Sequence, residues 1–189
     1  MSLLRSISVW LSRIEKAAGI VAAIALAAIM VIVALDVTMR YVLNRPFAWS
    51  YDFVSLYVMA ALFFLALSRA YAVHGHVNVD LLHHFLGPRA RRSLELVITL
   101  ASAVLFALMT DAGATRAWSQ YTDNEVMTGL YAWPAWASAV FVPIGGSLIV
   151  VRLVFDAICH FTTLISGVEI LPLAPVAGSE QAVREGGFE

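Results

Sequence analysis

The chain has 189 residues, of which 61% are hydrophobic and 13% charged, and its formal net charge is -1. So little charge excludes an ordinary soluble domain of this size, and the near-neutral balance excludes an electrostatic nucleic-acid binder. The single cysteine, Cys159, excludes an intramolecular disulfide and reads as a small apolar filler.

Four stretches carry no charged side chain: 17–35, 53–68, 96–110 and 126–151. A transmembrane helix needs about 20 mostly apolar residues to cross about 30 Å of hydrocarbon. The first and fourth stretches meet that length. Tyr51 and residues 70–73 extend the second, and residues 112–115 the third. The fold class expected is therefore all-α, an integral membrane protein with four transmembrane helices plus short interfacial helices. Residues 1–16 form a lead-in, 17–163 the membrane domain and 164–189 a flexible tail rich in Gly, Pro and acids.

In the lead-in, Leu4, Ile7, Trp10, Leu11 and Ile14 recur at helical spacing. It either lies on a leaflet with Trp10 as anchor or simply extends the first span. Arg5, Arg13 and Lys16 before an Ala-rich run resemble a secretory signal. The length of the apolar run, and the helix-like sequence that follows it, favour a retained first span.

Within that span Gly19, Ala23 and Ala27 make a small-xxx-small row, as do Ala18 and Ala22. Such rows let helix backbones approach closely in lipid, where no hydrophobic drive brings helices together. Residues 36–44 continue the helix, with Asp36 and Arg40 at a pairing spacing, until Asn44-Arg45-Pro46 breaks it. Trp49 then precedes the second span, Ser50 is its expected N-cap, and Asp52 lies in its first turn. A pairing of Arg40 with Asp52 across this loop would fix the angle between two helices.

The second loop holds His74, His76, His83 and His84. A haem pair would face the bundle interior from within spans, and a zinc site would want Cys or carboxylate company, for which only Asp80 is near. No metal or cofactor is expected. The reading is an interfacial helix capped by Asn78 and ended by Gly87-Pro88, with Arg89, Arg91 and Arg92 facing anionic headgroups. Asp111 and Arg116 fall at the interface. Pro134 stands near the start of the fourth span, and Pro143 should kink it.

Lys and Arg distribution sets orientation. With the N-terminus inside, nine of the 12 lie on the cytoplasmic side and three outside. Both termini are then cytoplasmic, and Trp49, Tyr51, Trp118, Tyr121, Tyr131, Trp133 and Trp136 gather near the outer interface. Charged groups inside spans usually mark ion routes and proton relays; the four stretches have none, so the chain makes a poor solitary symporter.

Three segments in order resemble one family. They are residues 40–49 (RYVLNRPFAW) with Asp52 after them, Arg69 followed by residues 74–82 (HGHVNVDLL), and residues 133–136 (WPAW) with 142–145 (VPIG). Together they are similar to the small, DctQ-like membrane subunit of tripartite ATP-independent periplasmic (TRAP) transporters, over roughly residues 17–163. The family often has two acids after the tryptophan, where this chain reads Tyr51-Asp52, and a glycine where it reads Leu65-Ala66-Leu67.

The resemblance implies a non-enzymatic subunit in a bacterial inner membrane. Its partners would be a large membrane subunit, a periplasmic substrate-binding protein and membrane lipid. It would serve as a stator in gradient-driven uptake of an organic acid. Arg40, Asn44, Pro46, Trp49, Asp52, Arg69, His76, Asp80, Pro134 and Pro143 are the candidate partner-interface residues, and Gly19, Ala23 and Ala27 the candidate packing face. The alternative is a membrane anchor of a redox complex, which would need histidines deep in spans.

Overall fold

A computed structural model describes residues 2–73, 87–128 and 131–166. Four of its helical segments are long and apolar enough to cross a membrane. Both ends of the described chain lie at one end of the bundle, here the termini end. The connections around residues 43–49 and 123–134 lie at the other, the loop end.

The first helix, α1, runs unbroken over Ser2–Val42. At 1.5 Å per residue it is about 60 Å long. The lead-in is therefore coaxial with the first span, and of the two placements considered for it the extension is observed. No proline stands in the helix, and Gly19 does not break it; the chain leaves the helix at Asn44, which takes φ +50°. A short polar side chain tolerates that left-handed conformation. It brings the Arg45 amide back to the Met39 carbonyl at 3.2 Å, and Pro46 follows.

The second span is made of α2 (Ser50–Phe53), a π-helical segment (Val54–Val58) and α3 (Met59–Ala72). The wide turn is a local change of helical phase, and it leaves Val54 and Val58 both buried. Trp49, not Ser50, occupies the N-cap position, and no side chain caps the helix there. Ser50 instead donates its hydroxyl backward to the Phe47 carbonyl at 2.9 Å.

The long α4 spans Pro88–Thr122, with Gly87 at its N-cap and Pro88 in its first turn. Pro at that position is pre-set for helix and lacks an amide that would go unused. The Gly87-Pro88 pair expected to end an interfacial helix thus opens α4; the end of any preceding helix lies outside the described residues. Arg92, expected among headgroups, is buried.

The fourth charge-free stretch does not begin as helix. Val126–Met127 (β1) pairs antiparallel with Trp133–Pro134 (β2). The span starts only at α5 (Ala135–Ala139) and continues as α6 (Phe141–Ser166). The helix is interrupted at Val140, three residues before Pro143 and earlier than the middle of the span. Proline lacks the amide that would bond the Ala139 carbonyl four residues back, and its ring crowds that carbonyl.

The spans pack in the order α1–α3–α6–α4. Glycines set the closest crossings. A Cβ built on Gly145 would collide with the backbone carbonyl of Phe64 in α3, and one on Gly146 with the Thr110 hydroxyl of α4. Val142 of α6 lies in turn over Gly113 of α4. The Pro143-Ile144-Gly145-Gly146 run is therefore where the last span threads between α3 and α4. Below that crossing Ala103, Ile149 and Leu153 form a buried core, with Leu67, Tyr71 and Phe106 against it. Helix α1 contacts chiefly α3, and little of its apolar length is covered by the rest of the chain.

Candidate functional sites: two polar junctions at the ends of the bundle

At the loop end, the chain reverses direction around one carboxylate. Asp36, buried near the end of α1, accepts the Phe47 amide on Oδ1 at 2.7 Å and the Arg40 guanidinium on Oδ2 at 2.8 Å. A carboxylate with a loop amide and an i,i+4 arginine on its two oxygens ties the turn to the helix it leaves. The expected Asp36–Arg40 pair is thus present. The expected Arg40–Asp52 pair is replaced by it, because Asp36 is one turn away on the same helix. Asp52 keeps its place in the first turn of α2.

Two aromatic groups lie at this end of the bundle, one of them at the turn itself. Trp49 meets Phe47 and Phe53, each with ring centroids 5.9 Å apart, and Phe53 meets Trp133 at 5.8 Å. Tyr57 adds a contact to Trp133 at 5.6 Å, and its hydroxyl donates to the Pro134 carbonyl at 2.7 Å. These offset contacts fall in the favourable range for ring pairs. They join the start of the second span to the strand pair before the fourth. In the second group Tyr121 of α4 meets Trp118 at 6.2 Å and Trp136 of α5 at 5.6 Å. The aromatic residues assigned to one interface by sequence thus do gather at one end.

The partner-interface candidates fall in three places. Arg40, Asn44, Pro46, Trp49, Asp52 and Pro134 belong to the loop-end junction. Pro143 sits at the helix crossing, and Arg69 lies at the termini end in the last turn of α3. His76 and Asp80 lie outside the described residues. The packing row is divided. Gly19 is covered by the Arg69 side chain, whose Cγ would lie 3.1 Å from an added Cβ. Ala23 and Ala27 are exposed, and the buried small residue of α1 is Ala22, from the other row.

The termini end holds a second junction. Glu15 of α1 is fully buried. Its Oε1 accepts the Ser68 hydroxyl of α3 at 2.9 Å, and its Oε2 lies 3.2 Å from the Arg152 guanidinium of α6. Arg152 also meets Asp156 one turn on, at 3.2 Å. Tyr71 and His160 lie near enough to act on the Asp156 charge. Among the described residues no group of three His, Cys, Asp or Glu is placed to hold a metal ion. Two carboxylates already face one guanidinium, which fills the role a cation would take.

Sequence reasoning passed over Glu15, treating residues 1–16 as a lead-in with Arg and Lys on its polar side. Two signals were available. Glu15 and Asp36 bracket the charge-free run of α1. Arg152, Asp156 and His160 stand at i, i+4 and i+8, one face of one helix.

Four membrane-length helices in antiparallel succession, tied at both ends by polar groups, define a multi-pass α-helical membrane protein. The family described as "Tripartite ATP-independent periplasmic transporters, DctQ component" matches residues 29–163, and the chain belongs to it. It is thus the small membrane subunit of a TRAP transporter, a transporter component by family. No individual curated protein matches the chain.

Proposed function

We propose that this subunit acts as a scaffold. It packs against the large membrane subunit and supports gradient-driven uptake of an organic acid handed over by a periplasmic binding protein, in a bacterial inner membrane. The observation that carries this reading is where the charges sit. Each span carries a charge-free run, 17–35, 53–68, 96–110 and the helical part of 126–151, and Glu15, Asp36, Arg152 and Asp156, all buried or paired, lie outside those runs. A symporter moving an anion against its gradient needs ionisable or ion-coordinating groups at depth. This chain offers shape and apolar surface instead. Exposed Ile20, Ile24 and Val31 on α1 supply such surface.

In this reading the loop-end junction, with Trp49 and Asp52, faces the periplasm and the binding protein. The termini end, with Arg69, His76 and Asp80, braces the cytoplasmic side. The nine-to-three bias of Lys and Arg supports that orientation. Two measurements test the proposal. A reporter active only in the periplasm and fused after Ser166 should be silent, whereas one inserted at Asn124 should be active. Affinity purification of the tagged chain from cells making all components should bring down the large subunit in fixed ratio. A periplasmic C-terminus, or purification of the chain without the large subunit, would overturn it.

A further inference from the structure

We propose that Glu15, Ser68 and Arg152 form a lock that positions the first helix on the bundle, Arg152 being its central residue. Helix α1 packs on one span, the second, and meets the rest of the bundle little. Along its apolar run it offers mainly small residues to α3, and much of its surface stays uncovered. In lipid, apolar side chains gain no hydrophobic stabilisation by turning from acyl chains to another helix, so a half-covered apolar face fixes orientation less sharply than a polar contact does. A buried, directional polar contact supplies what the apolar face lacks.

The contact joins three helices through one carboxylate: α1 gives Glu15, α3 the Ser68 hydroxyl and α6 the Arg152 guanidinium. Glu15 and Ser68 are both wholly buried, so neither contact is a transient surface pair. Asp36 anchors the same helix to its loop at the other end. The two carboxylates are separated by 36 − 15 = 21 residues, or about 31 Å of helix, close to the thickness of the hydrocarbon layer. Helix α1 is thus a strut fastened at both membrane boundaries.

The lock has an asymmetric logic. Arg152 neutralises both Glu15 and Asp156. Removing it leaves two buried carboxylates without their hydrogen-bonded cation, whereas removing Glu15 leaves Arg152 its partner Asp156. Below the lock, Leu11 of α1 closes with Phe155 over Cys159, which has 0% exposure. Cys159 is the sole cysteine of the chain, so its thiol reports whether the start of α1 is docked.

The test is the rate of labelling of Cys159 by a small maleimide, with the full chain in membranes. The unaltered chain should label slowly. Arg152→Met should raise the rate on the order of tenfold or more, and Glu15→Gln by less. Leu11→Ala is the positive control, exposing the thiol with the lock intact. A second reporter, Ala135→Cys in a Cys159→Ser background, watches a buried site at the loop end. It should stay protected when Arg152 is replaced. Labelling of Arg152→Met at the unaltered rate would overturn the lock. So would equal loss of protection at both reporters, which would mean general loosening. Should Arg152→Met fail to accumulate, Glu15→Ala decides the matter, and a Cys159 as protected as in the unaltered chain would count against the proposal.

Discussion

Replacing Gly145 with valine should prevent the last two spans from closing on the second. The α-carbon of Gly145 lies where α6 crosses the backbone of α3, and a Cβ there would meet the Phe64 carbonyl. That oxygen belongs to the helical ladder and cannot swing aside as a side-chain tip would. The helices must separate, and the neighbouring Gly146–Thr110 approach opens with them. Overpacking of this kind costs about 1–3 kcal/mol or more, and the lost close packing has no hydrophobic compensation within lipid. Gly145→Val should lower the thermal midpoint of the purified chain and its yield as a single folded species. Gly87→Ala is the control, since among the described residues nothing stands within 4 Å of an added Cβ there. Unchanged thermal behaviour in Gly145→Val would show that the α3–α6 approach is looser than described.

The second large effect belongs to Asp36. Asp36→Ala removes the acceptor of the Phe47 amide and the partner of Arg40 in one step. The turn of residues 43–49 would keep only its backbone bonds, such as Arg45 to Met39 and Ser50 to Phe47. The Phe47 amide should then exchange with solvent far faster, and the contacts of Trp49 with Phe47 and Phe53 should loosen, which tryptophan fluorescence would register. Asp36→Asn keeps a carbonyl-type acceptor at the same place and should preserve most of the protection. If Asp36→Ala leaves Phe47 as protected as before, the carboxylate does not organise the turn.

Much of this architecture is written plainly in the chain. Charge-free runs of membrane length are enough to assign four spans, because hydrocarbon tolerates little else. The end of α1 follows from Asn44 and Pro46, and the disturbance of the last span from Pro143. The start of that span was harder to read. Residues 126–134 are as free of charge as the helix beyond them, so hydropathy cannot separate the β1–β2 pair from the span. Backbone pairing distinguishes them, and the extended Pro134 marks the boundary.

The partners of charged residues were legible only when local. Asp36 and Arg40 are one turn apart on one helix, so their pairing is readable from spacing. Glu15 and Arg152 are separated by nearly the whole chain. Their meeting depends on the antiparallel return of α6 beside α3, which no local pattern encodes. The same limit applies to the packing row. Gly19/Ala23/Ala27 and Ala18/Ala22 are equally small in sequence, and only the rotation of α1 about its axis decides that Ala22 turns inward while Ala23 faces out.

The most direct test of the central claim is uptake in proteoliposomes under an imposed sodium or proton gradient. The large subunit should be reconstituted with and without this chain, with the binding protein and labelled organic acid outside. The scaffold account expects gradient-driven uptake when both membrane subunits are present. It expects uptake at background level for this chain alone, and strongly reduced uptake for the large subunit alone. Gradient-driven uptake by this chain alone, or full activity of the large subunit without it, would contradict the account.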